Sequence, residues 1–345
     1  PDEVGSDQRG DSSTLVVKGA GKLTSPYQMN IIDICPVGAL TSKDFRFKSR
    51  LWFMQFTHTI CTSCARGCNV ILGSRDNRVL RMVPRVNPDV NDHWMCDFGR
   101  LHYAFANDPE RLAAPRVAGK GAPYPVAVQR AAALLEGARG QGILAVASPF
   151  MTNEELHSLK GLCDALGVED RYFLKPVGEG DDLLVHPEKC PNARGAALLG
   201  FAEAPADWPE KEWGALLYFV PREGADLPEE LLERAKKKVV FALRPRDADV
   251  LVPLTTWIEK DGTVVSAGDR VQRLSKGITF EPTLLTERVV LDRLRAAVDA
   301  EAGKAADTAA QAFTRLCADV PAFGELTWAK VGLQGAPLAR QEASA

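Results

Sequence analysis

Nowhere in its 345 residues does the chain carry the run of about 18 apolar residues that a membrane-spanning helix requires. It also lacks a basic stretch followed by an apolar one at its start, the pattern of a secretory signal. Direct insertion into a membrane is therefore not expected, and a partner must bring the chain to any membrane at which it works. Positive charge is not in excess: 42 Lys and Arg stand against 45 Asp and Glu, a net charge of −3. A nucleic-acid binder would want a clustered basic face, and none is apparent. There is no internal repeat. Gly140-Gln141-Gly142 precedes a strand-like apolar run rather than a helix, so it is not a dinucleotide fingerprint. The remaining composition, 46% hydrophobic and 25% charged, is that of a globular protein long enough for two or three domains. The first residue is Pro1, inside the acidic stretch Pro1-Asp2-Glu3, and we expect a fragment or a processed chain.

The eight cysteines are few for a disulfide scaffold, and their placement argues against one. Cys35, Cys61, Cys64, Cys68 and Cys96 crowd the first third, while Cys163, Cys190 and Cys317 are scattered. Cys61-Thr-Ser-Cys64-Ala-Arg-Gly-Cys68 reads C-x2-C-x3-C, and Cys96 follows after 27 intervening residues. Four thiolates are what a [4Fe–4S] cube needs, one per iron. Three in one tight loop can wrap one face of the cube, and a hairpin can return the fourth. Gly67 lets the backbone approach the sulfides. A structural zinc site is the alternative, since zinc also accepts four cysteines. Zinc ribbons usually present two C-x2-C pairs, whereas here three ligands sit together and one stands alone.

Around these cysteines the pattern is β. Residues 1–30 read as loop with a short strand at Ser13–Val17, and Ile31–Leu40 as an apolar helical turn closed by Cys35-Pro36. Alternation over 51–60 suits a strand, and the runs Asn69–Ser74 and Arg78–Val83 flank a hairpin turn at Arg75-Asp76-Asn77. Asn107–Pro123 reads as a linker. Beyond it the texture is α/β. Helices are expected at Val126–Leu135, from Thr152 or Asn153 to Leu166 with Glu155 completing a capping box, at Pro228–Lys237, at Leu291–Val298 and at Ala305–Ala318. Buried strands are expected at Gly142–Ala147, Ala215–Val220 and Val239–Leu243, which together imply a parallel sheet.

Several stretches together carry a resemblance. Ile32-Asp33-Ile34-Cys35-Pro36-Val37-Gly38-Ala39-Leu40-Thr41-Ser42-Lys43 resembles the end of the ferredoxin-like region in the large iron–sulfur subunit family of NADH–quinone oxidoreductase, bacterial complex I (the 75 kDa-type subunit). The C-x2-C-x3-C-x27-C set, closed by Trp94-Met95-Cys96-Asp97-Phe98-Gly99-Arg100, is similar to the extra [4Fe–4S] site at the head of the family's molybdopterin-oxidoreductase-like domain. Ala248–Leu254, Glu259-Lys260-Asp261-Gly262-Thr263 and Arg270–Arg273 look like that domain's late signature. The resemblance implies an α/β architecture in pieces. Residues 1–50 would be a remnant of the ferredoxin-like region, and 51–106 a small antiparallel-β [4Fe–4S] domain. Residues 107–123 would be a linker, and 124–345 a reduced molybdopterin-oxidoreductase-like domain with a parallel sheet. It implies that Cys35 is a ligand of a second [4Fe–4S] cluster whose other ligands are absent from this chain. It also implies one-electron transfer within the peripheral arm on the cytoplasmic face of the inner membrane, with the other peripheral-arm subunits as partners. This chain itself would bind no small-molecule substrate. No molybdopterin is expected: Asp97 and Phe98 stand where related catalytic domains often place a Lys, and no Cys or Ser has the context of a molybdenum ligand.

Two rival functions share these motifs: the iron–sulfur portion of an NAD-linked formate dehydrogenase or hydrogenase, and a structural docking module stapled by a cluster or by zinc. Cys163 and Cys317 lie on amphipathic helices and read as core. Cys190, near His186, makes too weak a pair for a metal site. His58 reads equally as a donor beside the cluster or as an exposed strand residue, and Arg66 as a cation on the cluster or as a solvated side chain. His93 and His102 flank the fourth cysteine without an assigned role. Lys236-Lys237-Lys238 reads as a solvated helix end.

Overall fold

The computed structural model describes residues 3–18, 21–221, 226–303 and 305–339. Strands β1 (Val4–Asp7) and β2 (Thr14–Val17) pair as an antiparallel hairpin, followed by the single helical turn α1 (Asn30–Ile34) that ends at Cys35. A second antiparallel sheet follows in the order β3 (Gln55–Ile60), β4 (Asn69–Arg75), β5 (Arg78–Pro84). The β4–β5 turn is Asp76-Asn77, with φ of 50° and 61°. Two positive φ values in a two-residue loop are the twist-matched hairpin turn that Asp and Asn tolerate. The expected strand over 51–60 shortens to β3, because Leu51–Phe53 winds into a 3-10 turn. Helix α2 (Asp97–Leu101) begins directly after Cys96.

The large sheet has eight strands. Its members are β6 (Arg116–Val117), β7 (Lys120–Gly121), β8 (Ile143–Ala147), β9 (Asp170–Phe173), β10 (Ala202–Glu203), β11 (Ala215–Phe219), β12 (Lys238–Ala242) and β13 (Val250–Pro253). In space they run β10-β9-β8-β11-β12-β13-β6-β7. The expectation of a parallel sheet is corrected here to a mixed one: β10 to β13 pair parallel, but β6 joins β13 antiparallel and β7 joins β6 antiparallel. The stretch 107–123 therefore does not run free. A tight turn at Ala118-Gly119, both at positive φ, folds 116–121 into a hairpin that covers the edge of β13.

The central strands are apolar throughout because both faces are buried. In β8, Ile143, Ala145 and Ala147 enter one core and Leu144 and Val146 the other. In β12, Val239 and Phe241 face the first core while Val240 and Ala242 face the second. The first core is covered by α3 (Tyr124–Gly137), α4 (Asn153–Leu166), the short α5 (Ala193–Leu198), α7 (Glu287–Val298) and α8 (Ala309–Asp319). The second is closed by irregular chain and by α6 (Glu229–Glu233), which stops a turn earlier than expected. Helix α4 starts as its sequence requires: Thr152 Oγ1 accepts the Glu155 N–H at 3.2 Å, and Glu155 Oε2 accepts the Thr152 N–H at 2.9 Å.

A further antiparallel sheet, β14 (Gly262–Ser266), β15 (Arg270–Leu274) and β16 (Ala336–Pro337), lies between the cysteine-bearing sheet and the large sheet. The one-turn helix α9 (Trp328–Val331) packs beside β15. Val264 and Leu274 share a core with Ile60, Cys61, Cys68, Val70 and Leu72, while Val265 and Val271 belong to the large core. One hairpin thus ties both halves together by alternation of its side chains. Cys163 and Cys317 are buried in the large core.

Candidate metal centre

The Cys61–Cys68 loop connects two paired strands. Ile60 pairs with Asn69, and the Cys61 N–H donates to the Cys68 carbonyl at 2.7 Å, closing the loop at its neck. Gly67 has φ +67°, and a Cβ there would stand 2.5 Å from Gln272 Nε2, so both conformation and space call for glycine. That same Nε2 donates to the Gly67 carbonyl at 3.0 Å, and Gln272 Oε1 accepts Asn69 Nδ2 at 2.7 Å. Ala65 is fixed on both sides: its N–H donates to Glu188 O at 2.9 Å and its carbonyl accepts the Ala267 N–H at 2.8 Å. The loop is thus held by chain that lies far away in sequence.

The fourth cysteine arrives by another route. Asn91 Oδ1 accepts the Asn69 N–H at 2.8 Å and Asn91 Nδ2 donates to Trp94 O at 3.0 Å, which links the loop to the approach of Cys96. Cys96 caps α2, and its Sγ accepts the Gly99 N–H at 3.3 Å. A Cβ on Gly99 would meet Cys61 Sγ at 3.0 Å and Cys96 Sγ at 3.4 Å. The absence of a side chain at Gly99 therefore makes the floor on which two of the sulfurs rest.

Three of the thiols, those of Cys61, Cys68 and Cys96, are shifted upward. Burial pushes the Cys61 thiol up to about 12, with the charges of Cys96 and Cys64 adding to it. Burial raises Cys68 well above the ordinary thiol range, reinforced by Cys61, Cys64 and Cys96 and opposed by the Arg66 charge. Burial also raises Cys96, against the Gly99 N–H. Thiolates so buried would need positive charge beside them, which iron would supply while displacing the thiol protons. Four cysteine thiols suit either a [4Fe–4S] cube or one zinc ion, and among the described residues no group of three or more His, Cys, Asp or Glu side chains is placed to hold a metal ion. A zinc site would bring each sulfur to about 2.3 Å from one point, whereas a cube takes one thiolate on each of four separated irons.

Cys35 has a different setting. It ends α1, and its thiol is lowered chiefly by the Leu40 N–H and further by those of Ala39, Val37 and Gly38, a ring of amides that favours a thiolate. The segment that carries it is pinned to the fourth cysteine. Asp97 N–H donates to Pro26 O at 2.8 Å, Asp97 Oδ1 accepts the Met29 N–H at 3.0 Å, and Arg100 pairs with Asp33.

Other singled-out residues fall as follows. His58 is exposed on β3. Arg66 donates through Nε to Leu184 O at 3.0 Å and bears on Cys68. His93 is exposed beside Asp92, whereas His102 Nδ1 lies 3.2 Å from Ser63 Oγ, inside the cysteine loop. Cys190 is fully buried one residue from Lys189, and His186 Nδ1 is used by the Glu188 N–H at 3.2 Å. The Glu259–Thr263 signature is structural: Glu259 pairs with buried Arg111 at 2.6 Å, and Lys260 with Glu155 at 2.8 Å. Sequence reasoning missed Asn69, Asn91 and Gln272, whose partners lie outside any local pattern. Gly99 at the third position after Cys96 was the one available signal.

Fold and site together define a small antiparallel-β module carrying four clustered cysteines, joined to an α/β body. Residues 54–104 match the family described as NADH-ubiquinone oxidoreductase NDSU1/NuoG-like, 4Fe-4S domain, and residues 1–41 match the ferredoxin-like domain of NADH-quinone oxidoreductase subunit 3. The chain is 33% identical over 170 residues to the G-type subunit of NADH-quinone oxidoreductase from Rickettsia conorii, covering 48% of this chain and 25% of that protein. It is 35% identical over 161 residues to the same subunit from Pseudomonas putida (46% and 17%). It is 35% identical over 150 residues to the mitochondrial NADH dehydrogenase [ubiquinone] iron-sulfur protein 1 of Solanum tuberosum (42% and 20%). The matched part spans a quarter or less of these relatives. Within it, the chain is similar to part of the large iron–sulfur subunit of complex I, and its cofactor is an iron–sulfur cluster.

Proposed function

We propose that this chain is an electron-transferring iron–sulfur part of the peripheral arm of an NADH–quinone oxidoreductase. Cys61, Cys64, Cys68 and Cys96 hold one [4Fe–4S] cluster, one thiolate per iron, and Cys35 serves a second cluster with ligands from outside this chain. The observation that carries the reading is the meeting of the buried Cys61 and Cys96 sulfurs, one from each limb of the motif, over Gly99. When bound, the cluster supplies one-electron transfer. The chain's own residues bury it, exclude water and aim the Gly99 N–H at a ligand sulfur. Residues 1–50 are a ferredoxin-like remnant, 51–106 the cluster domain, 107–123 the connection, and 124–345 a reduced molybdopterin-oxidoreductase-like domain without pterin. The exposed apolar side chains around Cys35, Ile34 at 66% and Val37 at 82%, suit contact with other peripheral-arm subunits. Such contacts would hold the chain on the cytoplasmic face of the membrane, and none of the described helices is long and apolar enough to cross it.

A structural role accompanies this one. Cys61 and Cys68 belong to the same core as Trp257, Ile258 and Val264, so the cluster also staples the two halves. Iron and sulfide analysis with EPR on anaerobic, dithionite-reduced protein tests the reading. About four irons and four sulfides per chain, with an S = 1/2 signal that Cys96→Ala abolishes, are expected. Zinc in place of iron would leave only the structural role.

A further inference from the structure

The chain from Met29 to Leu51 leaves a cavity of about 820 Å³ between itself, β5 and α2. That size lies within the range of pockets that bury a small organic molecule. Ile32, Leu40, Phe45, Leu51 and Met82 give it apolar walls. Four guanidinium groups, those of Arg46, Arg50, Arg81 and Arg100, border the same space. Phe47, 91% exposed, stands at its rim.

The charges around the cavity do not balance. Residues 43–85 hold nine Lys and Arg against two Asp, a local excess that the whole-chain charge of −3 conceals. Both carboxylates on the cavity wall are already engaged. Asp33 pairs with Arg100, and Asp44 takes Lys48 at 2.9 Å and the Tyr103 hydroxyl. Among the described residues, Arg46, Arg50 and Arg81 pair with no carboxylate. Each lies against a ring instead: Arg46 over Phe47 at 4.7 Å, Arg50 over Trp52 at 6.0 Å and Arg81 over Phe45 at 4.8 Å. Arg46 and Arg50 are exposed, whereas Arg81 is half-buried. Burial lowers the Arg81 guanidinium below its ordinary range, the Asp33 charge opposes this and the Arg100 charge adds to it. A guanidinium nonetheless stays charged, and its planar fork matches phosphate oxygens. Three cations without an anion suit a doubly charged head better than a singly charged one.

We propose that this cavity binds an amphipathic phosphate monoester, its head held by Arg81 with Arg46 and Arg50 and its hydrocarbon body lying along Ile32, Leu40 and Met82. None of the four clustered cysteines lines the cavity. The site therefore goes beyond the electron-transfer reading and stands without it.

The test is calorimetric titration of the whole chain with octyl phosphate below its micellar range. Octyl glucoside supplies the same tail without charge, and inorganic phosphate the head without a tail. Octyl phosphate should bind saturably, and each of the other two at least about tenfold more weakly. Arg81→Met should weaken octyl phosphate about tenfold, the loss of one charge-assisted contact, and leave octyl glucoside unchanged. Arg50→Gln, at an exposed position, should act in the same direction by less. Flotation with vesicles containing phosphatidic acid separates two sources of the same head group. Co-flotation supports the site with a bilayer lipid as its ligand, and octyl phosphate binding without it supports the site with a free monoester. No binding of octyl phosphate would overturn the proposal, as would equal binding of octyl glucoside or of inorganic phosphate. Binding of an oligoglutamate peptide with no response to octyl phosphate would overturn it in favour of a polypeptide partner. Should Arg81→Met lose its circular dichroism, the double variant of Arg46→Gln and Arg50→Gln carries the test, and unchanged affinity there overturns the site.

Discussion

Asn30 and Met95 lie 65 residues apart and exchange two hydrogen bonds: Asn30 Nδ2 donates to Met95 O at 2.8 Å, and the Met95 N–H donates to Asn30 Oδ1 at 3.2 Å. The side chain imitates a strand partner for the residue just before the fourth cysteine. The same Oδ1 accepts from Arg100 Nη2 at 3.2 Å. Replacing Asn30 with Leu strands a buried amide, a buried carbonyl and part of a guanidinium. Each stranded group costs about 1–3 kcal/mol. We expect Asn30→Leu to destabilise the cluster domain by at least about 2 kcal/mol, read as a lower midpoint in urea unfolding. An unchanged midpoint would mean that the contact contributes nothing.

Gly99→Ala tests the floor of the site. Its Cβ would stand 3.0 Å from Cys61 Sγ. Backbone and side chain of α2 tolerate alanine, which has the better helix propensity. The variant should therefore keep its far-UV circular dichroism while losing most of its iron. Full iron retention would show that the sulfurs move off Gly99 when the cluster binds.

Gln272→Leu tests the clamp on the cysteine loop. It removes the donor to Gly67 O and the acceptor of Asn69 Nδ2 together. We expect a loss of about 2–4 kcal/mol and faster release of iron to a chelator. Gln272→Glu keeps the acceptor alone and should lie between the two.

The pH dependence has a sign set by Glu154. Burial pushes its carboxyl up to about 7 from an ordinary 4.5, against the hydrogen bonds from Thr263. Glu287 is likewise raised to about 7 by burial and by the Glu155 charge, against the pull of Lys260. The folded protein therefore holds protons that the unfolded chain releases. Stability should be fullest below about pH 4.5 as far as these two groups decide it, and should fall as pH rises through about 7. Thermal midpoints measured from pH 5 to 8 should drop, and Glu154→Gln should flatten part of the slope. A midpoint rising over that interval would contradict the assignment.

Much of the local structure was legible in the residues. Thr152 with Glu155 marked the start of α4, and Asp76-Asn77 marked the β4–β5 turn, because caps and tight turns are written within four residues. The cysteine spacing pointed to one site, and the structure sets the Cys61 and Cys96 sulfurs together against Gly99. The tertiary part was not legible. Nothing in Arg270–Arg273 announces that Gln272 reaches the carbonyl of Gly67, since that contact depends on the register of β15 against a distant sheet. The hairpin at 116–121 was hidden by the flanking Pro115 and Pro123, which read as linker, while Ala118-Gly119 serves as its turn. His102 had no partner in sequence, because Ser63 lies 39 residues away.

The clamp has a consequence for biosynthesis. The four cysteines have all been made once residue 96 is polymerised, yet Glu188, Ala267 and Gln272, which hold their loop, come much later. A nascent chain emerging from the ribosome presents the thiols long before it presents their frame. If these thiols hold the cluster as proposed, loading of iron and sulfide would be tied to completion of the β14–β15 hairpin, and a chain stalled or cleaved before it would offer thiols with no cage around them.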